Sequence, residues 1–266
     1  MTSLPVGLFS KLKAAFAISG QPVKRCLLNW RYRILARASG LPIFAVTDAD
    51  RQSLELSHLE AFRQLQAHHS WADLAVYPVG GAAHPAYLGI LGRILQECDV
   101  RTVIEFGAGQ SSMFLSSWCK TSGGTVFTIE SDAEWAKRCK NDISAPTHQV
   151  VFAPLKPNDR MELWYDTDLI YAALAGAKAD LIIVDGPIGT HRRSRAGLLQ
   201  VFDSIAAEEW VAIWDDIHRF GELESYVEFA RQRRNKHPWC DFACCQAFRT
   251  LGLAFTPKFS SVRYFC

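Results

Sequence analysis

The chain has 266 residues, 49% of them apolar and 21% charged. This is room for one large domain or a medium domain with an extension, and the balance excludes a disordered or fibrous chain. The formal net charge of +2 is unevenly placed: Lys11, Lys13, Lys24, Arg25, Arg31, Arg33 and Arg37 precede the first acidic residue, Asp48, and the remainder carries a net charge of −5. No stretch approaches the roughly 18 apolar residues that a membrane-spanning helix needs.

The basic head predicts two short helices. Leu8, Leu12, Ala15 and Phe16 share one helical face. Pro22 suits the start of the second, where its missing N–H costs nothing, and Val23, Leu27, Trp30 and Ile34 recur at helical spacing. Gly40 and Pro42 end it. A third helix is expected over about Asp50 to His68, and residues 1–76 read together as a basic helical extension before a domain over 77–266. The head admits three roles: a lid over a substrate site, a peripheral contact with an anionic membrane or other polyanion, or an organellar transit segment. Basic charge alone does not imply nucleic-acid binding, since no reading module accompanies it.

From Val100 onward, strands and helices alternate. Strands are expected at Thr102–Phe106, Gly124–Glu130, His148–Leu155, Ala179–Asp185 and Glu209–Asp215, and helices at Ala86–Leu95, Gln110–Cys119, Asp132–Lys140, Arg195–Ala206 and Glu222–Gln232. Ala179–Asp185 is apolar on both faces, the mark of a buried parallel strand. Phe242–Phe255 reads as a hairpin. The pattern predicts an α/β fold: a mostly parallel doubly wound sheet with a C-terminal antiparallel strand pair and N-terminal helices.

Eight cysteines with no C-x-x-C pair read as buried, reduced thiols of a cytoplasmic-type compartment. His237, Cys240, Cys244 and Cys245 cluster locally, but their spacing matches no zinc module and a packed strand is expected there.

The chemistry concentrates in Val103-Ile-Glu105-Phe-Gly107-Ala-Gly109-Gln-Ser111-Ser112. An acidic residue ends a strand, and a glycine turn then opens a helix whose first N–H groups are free for a ligand. Glu130 ends the next strand, where a carboxylate can accept two ribose hydroxyls. The pair predicts a nucleoside ligand. A dinucleotide fingerprint would need glycine where Glu105 and Ser112 stand, which disfavours an NAD(P)-dependent oxidoreductase.

On these residues the sequence resembles the class I S-adenosylmethionine-dependent methyltransferases, over about Tyr77 to Phe255. Glu105-Phe-Gly107-Ala-Gly109 matches their first motif and Glu130 their ribose-binding acid. Val79-Gly80-Gly81 and the following helix are similar to the entry of the catechol and caffeoyl-CoA O-methyltransferases, where that loop touches the methionine part of the cofactor. The run Leu181–Pro187, with Asp215-Asp216-Ile-His218-Arg219, is similar to relatives that methylate sugars. The resemblance implies S-adenosylmethionine as cofactor, held by Val79, Gly80, Glu105, Gly107, Gly109, Ser111, Glu130, Ser131, Ala153 and Asp185. It implies O-methylation of a small-molecule or glycan hydroxyl; a non-catalytic nucleoside-binding module of the same fold is the alternative.

Methyl transfer from a sulfonium demands mainly orientation. A hydroxyl acceptor must also lose its proton, to a base or with the help of a metal. Asp185, His191, Asp216 and His218 are the candidate catalytic residues. In the catechol-type enzymes the positions of Asp185, Asp215 and Asp216 hold Mg²⁺, but this chain has Asp216 where asparagine is usual. Metal-free chemistry with His191 or His218 as base is therefore expected, a divalent ion being the alternative. Arg192, Arg193 and Arg195 are candidates for holding an anionic acceptor. Trp135 is placed to border an adenine and Trp164 to cover the acceptor, with core packing as the default for both.

Overall fold

The computed structural model describes residues 30–43, 46–68, 83–158, 162–188 and 193–266. The chain divides into two compact units, Met1–Gly40 and Leu41–Cys266. In the first, residues 30–38 are helical (α1), and Ser39 donates its hydroxyl to the Ala36 carbonyl at 2.7 Å. The remainder of the predicted basic helices lies outside the described residues.

The second unit opens with α2 (Asp48–His68) and α3 (Pro85–Glu97). Then come β1 (Thr102–Phe106), α4 (Gln110–Ser122), β2 (Thr125–Glu130), α5 (Ala133–Asp142) and β3 (His148–Phe152). A short pair, β4 (Leu155–Pro157) and β5 (Leu163–Tyr165), leads to α6 (Thr167–Leu174) and β6 (Ala179–Val184). The chain continues through α7 (Leu198–Ile205), β7 (Ala206–Trp214), α8 (Phe220–Lys236), β8 (Asp241–Gln246) and β9 (Thr250–Phe255), and closes in a 3-10 helix, Pro257–Tyr264. Among the described residues, no helix is long and apolar enough to cross a membrane.

The main sheet has seven strands in the order β3-β2-β1-β6-β7-β9-β8. The first five are parallel; β9 runs antiparallel to both β7 and β8. This is the predicted fold class. Alternation along each strand builds a core on both faces. Val103, Leu181, Ile183, Val211 and Ile213 join α3 and α4 on one side. Ile104, Phe106, Ile182, Val184, Ala212 and Trp214 join α7 and α8 on the other. Strand order reverses between β1 and β6, and a crevice at their carboxyl ends follows from that reversal.

Some element bounds shift: β7 starts at Ala206 instead of Glu209. The compact units divide at Gly40 and Leu41, and α2 is tied to the sheet unit. Phe62 of α2 meets Phe114 edge-on with ring centroids 5.5 Å apart. Glu55 accepts the N–H groups of Ala86 and Phe248 at 3.3 and 2.9 Å. The strand expected over His148–Leu155 ends at Phe152, with the Ala153 N–H making the last rung toward β2, to the Glu130 carbonyl at 2.8 Å. The helix expected from Arg195 starts at Leu198. The seven described cysteines are free thiols, with Cys244 and Cys245 in strand β8. Among the described residues, the single group of three or more His, Cys, Asp or Glu ligand atoms that converge is an aspartate trio.

Candidate functional site

The carboxyl ends of β1, β2, β6 and β7 open onto one cleft of about 650 Å³. Gly107, Ala108, Glu130, Trp135, Tyr165, Asp185, Arg195 and Asp216 line it. The glycine turn after β1 is built from underneath. Glu105 is fully buried and accepts from Ser111 Oγ at 2.6 Å, Ser112 Oγ at 2.5 Å and Thr128 Oγ1 at 2.7 Å. Ser112 Oγ in turn accepts the Gly109 N–H at 3.0 Å. Burial raises the Glu105 pKa to about 7 against these three hydroxyls. Beyond Thr128, His148 Nε2 lies 2.8 Å from Thr128 Oγ1, and burial lowers its pKa to about 4.

Gly107 has a φ of +96°, and a Cβ there would fall 2.8 Å from the Gly186 nitrogen. Only glycine fits both demands. Gly109 differs: a Cβ on it would meet nothing nearer than Ser111 Oγ at 4.0 Å. The protein leaves that side open, which fits a ligand passing close to the backbone.

Glu130 ends β2 and organises the next turn. Its Oε2 accepts the Ala108 N–H at 2.9 Å, and its Oε1 accepts the Ser131 and Asp132 N–H groups at 2.6 and 2.8 Å. A carboxylate oxygen accepts two hydrogen bonds, so Oε2 keeps capacity for a ligand hydroxyl. Trp135 stands over the turn, 43% exposed, with its indole N–H donating to the Ala108 carbonyl at 2.7 Å. Trp164 instead packs on Phe106 and Tyr165 in the core, so it does not cover a substrate.

Beside the glycine turn, after the adjacent strand β6 and the next strand β7, lies the acidic corner. Asp185 follows β6 and is half-buried; Asp215 and Asp216 follow β7 and are buried. One ligand oxygen from each lies within 4.8 Å of the others. Arg195, 2% exposed, sits among them. Its Nη2 donates to Asp185 Oδ1 at 3.1 Å, to the Asp185 carbonyl at 2.8 Å and to Asp216 Oδ2 at 2.9 Å. Its Nη1 donates to the Asp215 carbonyl. On the other flank, His84 at the start of α3 bridges Glu55 Oε1 (3.2 Å) and Asp215 Oδ1 (3.6 Å). Burial acts to lower the His84 pKa, but the two carboxylates outweigh it and hold the imidazole up at about 9.

These neighbours drive the titrations of Asp185 and Asp215 apart. Burial and the charge of Asp215 push the Asp185 carboxyl well above the usual carboxylate range. Asp215 is buried too, but His84 and Arg195 hold it below that range. Arg219 Nη2 adds a contact to Asp216 Oδ2 at 3.1 Å, and Arg249 Nη1 lies 3.9 Å from Asp215 Oδ2.

The aspartate trio has the donor chemistry of a hard-cation site. The arrangement does not fit one, because a buried guanidinium already bonds the facing oxygens of Asp185 and Asp216.

Gly107, Glu130, Asp185 and Asp216 therefore line the cleft as expected positions. Glu105, Ser111 and Ala153 are fully buried behind it, and Gly109 and Ser131 adjoin lining residues without lining it themselves. His218 lies beside the cleft, its Nδ1 3.8 Å from Asp216 Oδ1, and burial lowers its pKa. Val79, Gly80, His191 and Arg192 lie outside the described residues. Arg193 pairs with Glu228, so neither it nor Arg195 projects alone at a substrate. Sequence reasoning missed His84 and Tyr165; the His84-Pro85 step at a helix start was the available signal for the first.

No protein-family model and no curated protein sequence matches the chain. Among solved structures, it is similar to an O-methyltransferase from Bacillus cereus in complex with SAH: 15% identity, TM-score 0.48, covering 79% of this chain and 100% of that one. It is also similar to an SAH-bound methyltransferase of Podospora anserina, at 10% identity and TM-score 0.47, covering 96% of this chain and 98% of that one.

Proposed function

We propose that the protein is an S-adenosylmethionine-dependent methyltransferase acting on a hydroxyl of a small molecule or glycan. The observation that supports this most is the gathering of Gly107 and Ala108 of the glycine turn, Glu130 and Asp185 on the lining of one cleft. Bound there, the cofactor would supply an electrophilic methyl on a sulfonium centre. Glu130 offers Oε2 to a ribose hydroxyl. Trp135 presents an aromatic wall for a base, and the open side of Gly109 admits close approach of the ligand.

Asp185 is the proposed proton acceptor. It faces the cleft, and its raised pKa makes it a better base than an ordinary surface carboxylate. Asp216 orients it through Arg195. His218, beside the cleft and with a lowered pKa, is the second candidate base.

Methyl transfer from tritiated S-adenosylmethionine to a panel of phenolic, sugar and aliphatic hydroxyl acceptors tests the reading. Labelled product that disappears in Asp185→Asn supports it. Cofactor binding with no transfer to any acceptor favours the non-catalytic module.

A further inference from the structure

We infer that Arg195 is a resident cation, occupying the place at which Asp185, Asp215 and Asp216 would otherwise gather a divalent metal. Three carboxylates whose oxygens converge within 4.8 Å repel one another unless a positive charge sits between them. The charge between them here is covalent. One nitrogen, Nη2, spans Asp185 Oδ1 at 3.1 Å and Asp216 Oδ2 at 2.9 Å. The backbone carbonyls of Asp185 and Asp215 accept from the same guanidinium, so these bonds fix the head at four points. A planar fork held this way is preorganised, and at 2% exposure it cannot swing into solvent without leaving the core.

The same contacts make Arg195 a positioning residue. Asp185 is held by its carbonyl and its carboxylate at once, which fixes the orientation of that carboxylate at the cleft. Asp216, at a φ of +63°, presents Oδ2 to the same nitrogen. Among the described residues, its Oδ1 is buried without a hydrogen-bond partner, as is Asp215 Oδ2. Neutralising Arg195 would leave these oxygens and those it now holds around a vacated centre, with Arg219 and His84 remaining on the outer side of Asp216 and Asp215. That is the ligand set of a hard-cation site. Metal binding is read on the protein alone, so this inference stands or falls separately from methyl transfer.

The test is a Mn²⁺ titration of the full chain, following the free-ion signal by electron paramagnetic resonance. The wild type is expected to show no saturable site below about 1 mM, the weak end of carboxylate sites. Arg195→Met and Arg195→Gln are expected to gain one site, about tenfold tighter or better, because the acids lose the counter-charge at their centre and keep only His84, Arg219 and Arg249 on the flanks. Adding Asp216→Asn should remove the gained site, and Arg195→Lys, which keeps the charge, should not acquire it. If neither neutral variant folds, refolding with Mn²⁺ present decides: rescue supports the inference and failure of rescue overturns it. The inference is also overturned if the wild type binds one Mn²⁺ that Asp185→Asn or Asp216→Asn abolishes. Folded neutral variants that bind Mn²⁺ no better than the wild type overturn it equally.

Discussion

Gly107 and Gly186 touch backbone to backbone: a Cβ on Gly107 would lie 2.8 Å from the Gly186 nitrogen, and one on Gly186 would lie 2.7 Å from the Gly107 Cα. The contact locks the turn after β1 to the turn after β6, so the two walls of the cleft are set by one approach. Gly107→Ala must also adopt a φ of +96°. It should cost about 1–3 kcal/mol of stability by denaturant unfolding.

Gly109→Ala should separate from it. With open space on the protein side, its stability should stay within about 0.5 kcal/mol of wild type. Its affinity for S-adenosylhomocysteine should fall about tenfold or more, since on the proposed reading the cofactor passes close to the backbone there and the added methyl would meet it. Equal losses of stability in the two variants would refute the distinction.

Glu105 and His148 flank Thr128 and pull stability in opposite directions with pH. The folded Glu105 pKa of about 7 lies above its ordinary 4.5. Its contribution is therefore full below about pH 4.5 and lost as pH rises through 7. The folded His148 pKa of about 4 lies below its ordinary 6.5. That contribution is full above about 6.5 and lost as pH falls through 4. The wild type should show a shallow dependence between pH 4.5 and 6.5 because the two oppose. Glu105→Gln should expose a rise of stability with pH there, and His148→Phe a fall. Urea midpoints across the window check both signs.

The parts legible in the sequence were those set by local pattern. β1 and β6 are short apolar runs ending in acids, and the structure keeps the predicted span of β1 and all but the last residue of β6. The β4–β5 pair escaped because three-residue strands carry no periodicity. α6 escaped although Asp166 caps it by accepting the Asp168 N–H at 3.2 Å; its eight residues are short for a periodic signal. In the site, position was readable but direction was not. Glu105 ends its strand as expected, yet it turns inward to three hydroxyls. Arg195 was legible as a cation near the cleft, but which anion it meets depends on the β7 turn 20 residues later.

The proposed base makes a kinetic prediction. As Asp185 must be ionised to accept a proton and its pKa is raised, kcat should climb with pH through that titration and then level. Asp185→Asn should lower kcat by about 100-fold or more while changing cofactor affinity little. His218→Ala should keep the wild-type pH profile. A profile that moves in His218→Ala and not in Asp185→Asn would transfer the role to the histidine.

Calorimetric titration of S-adenosylhomocysteine into the wild type and Glu130→Ala, with NADH as the control ligand, tests the central claim most directly. The expected result is one site in the wild type, weakened by about 1–3 kcal/mol in Glu130→Ala as hydrogen bonds to a charged acceptor are lost, and no binding of NADH. Tight binding of NADH with none of S-adenosylhomocysteine would contradict the assignment of this cleft.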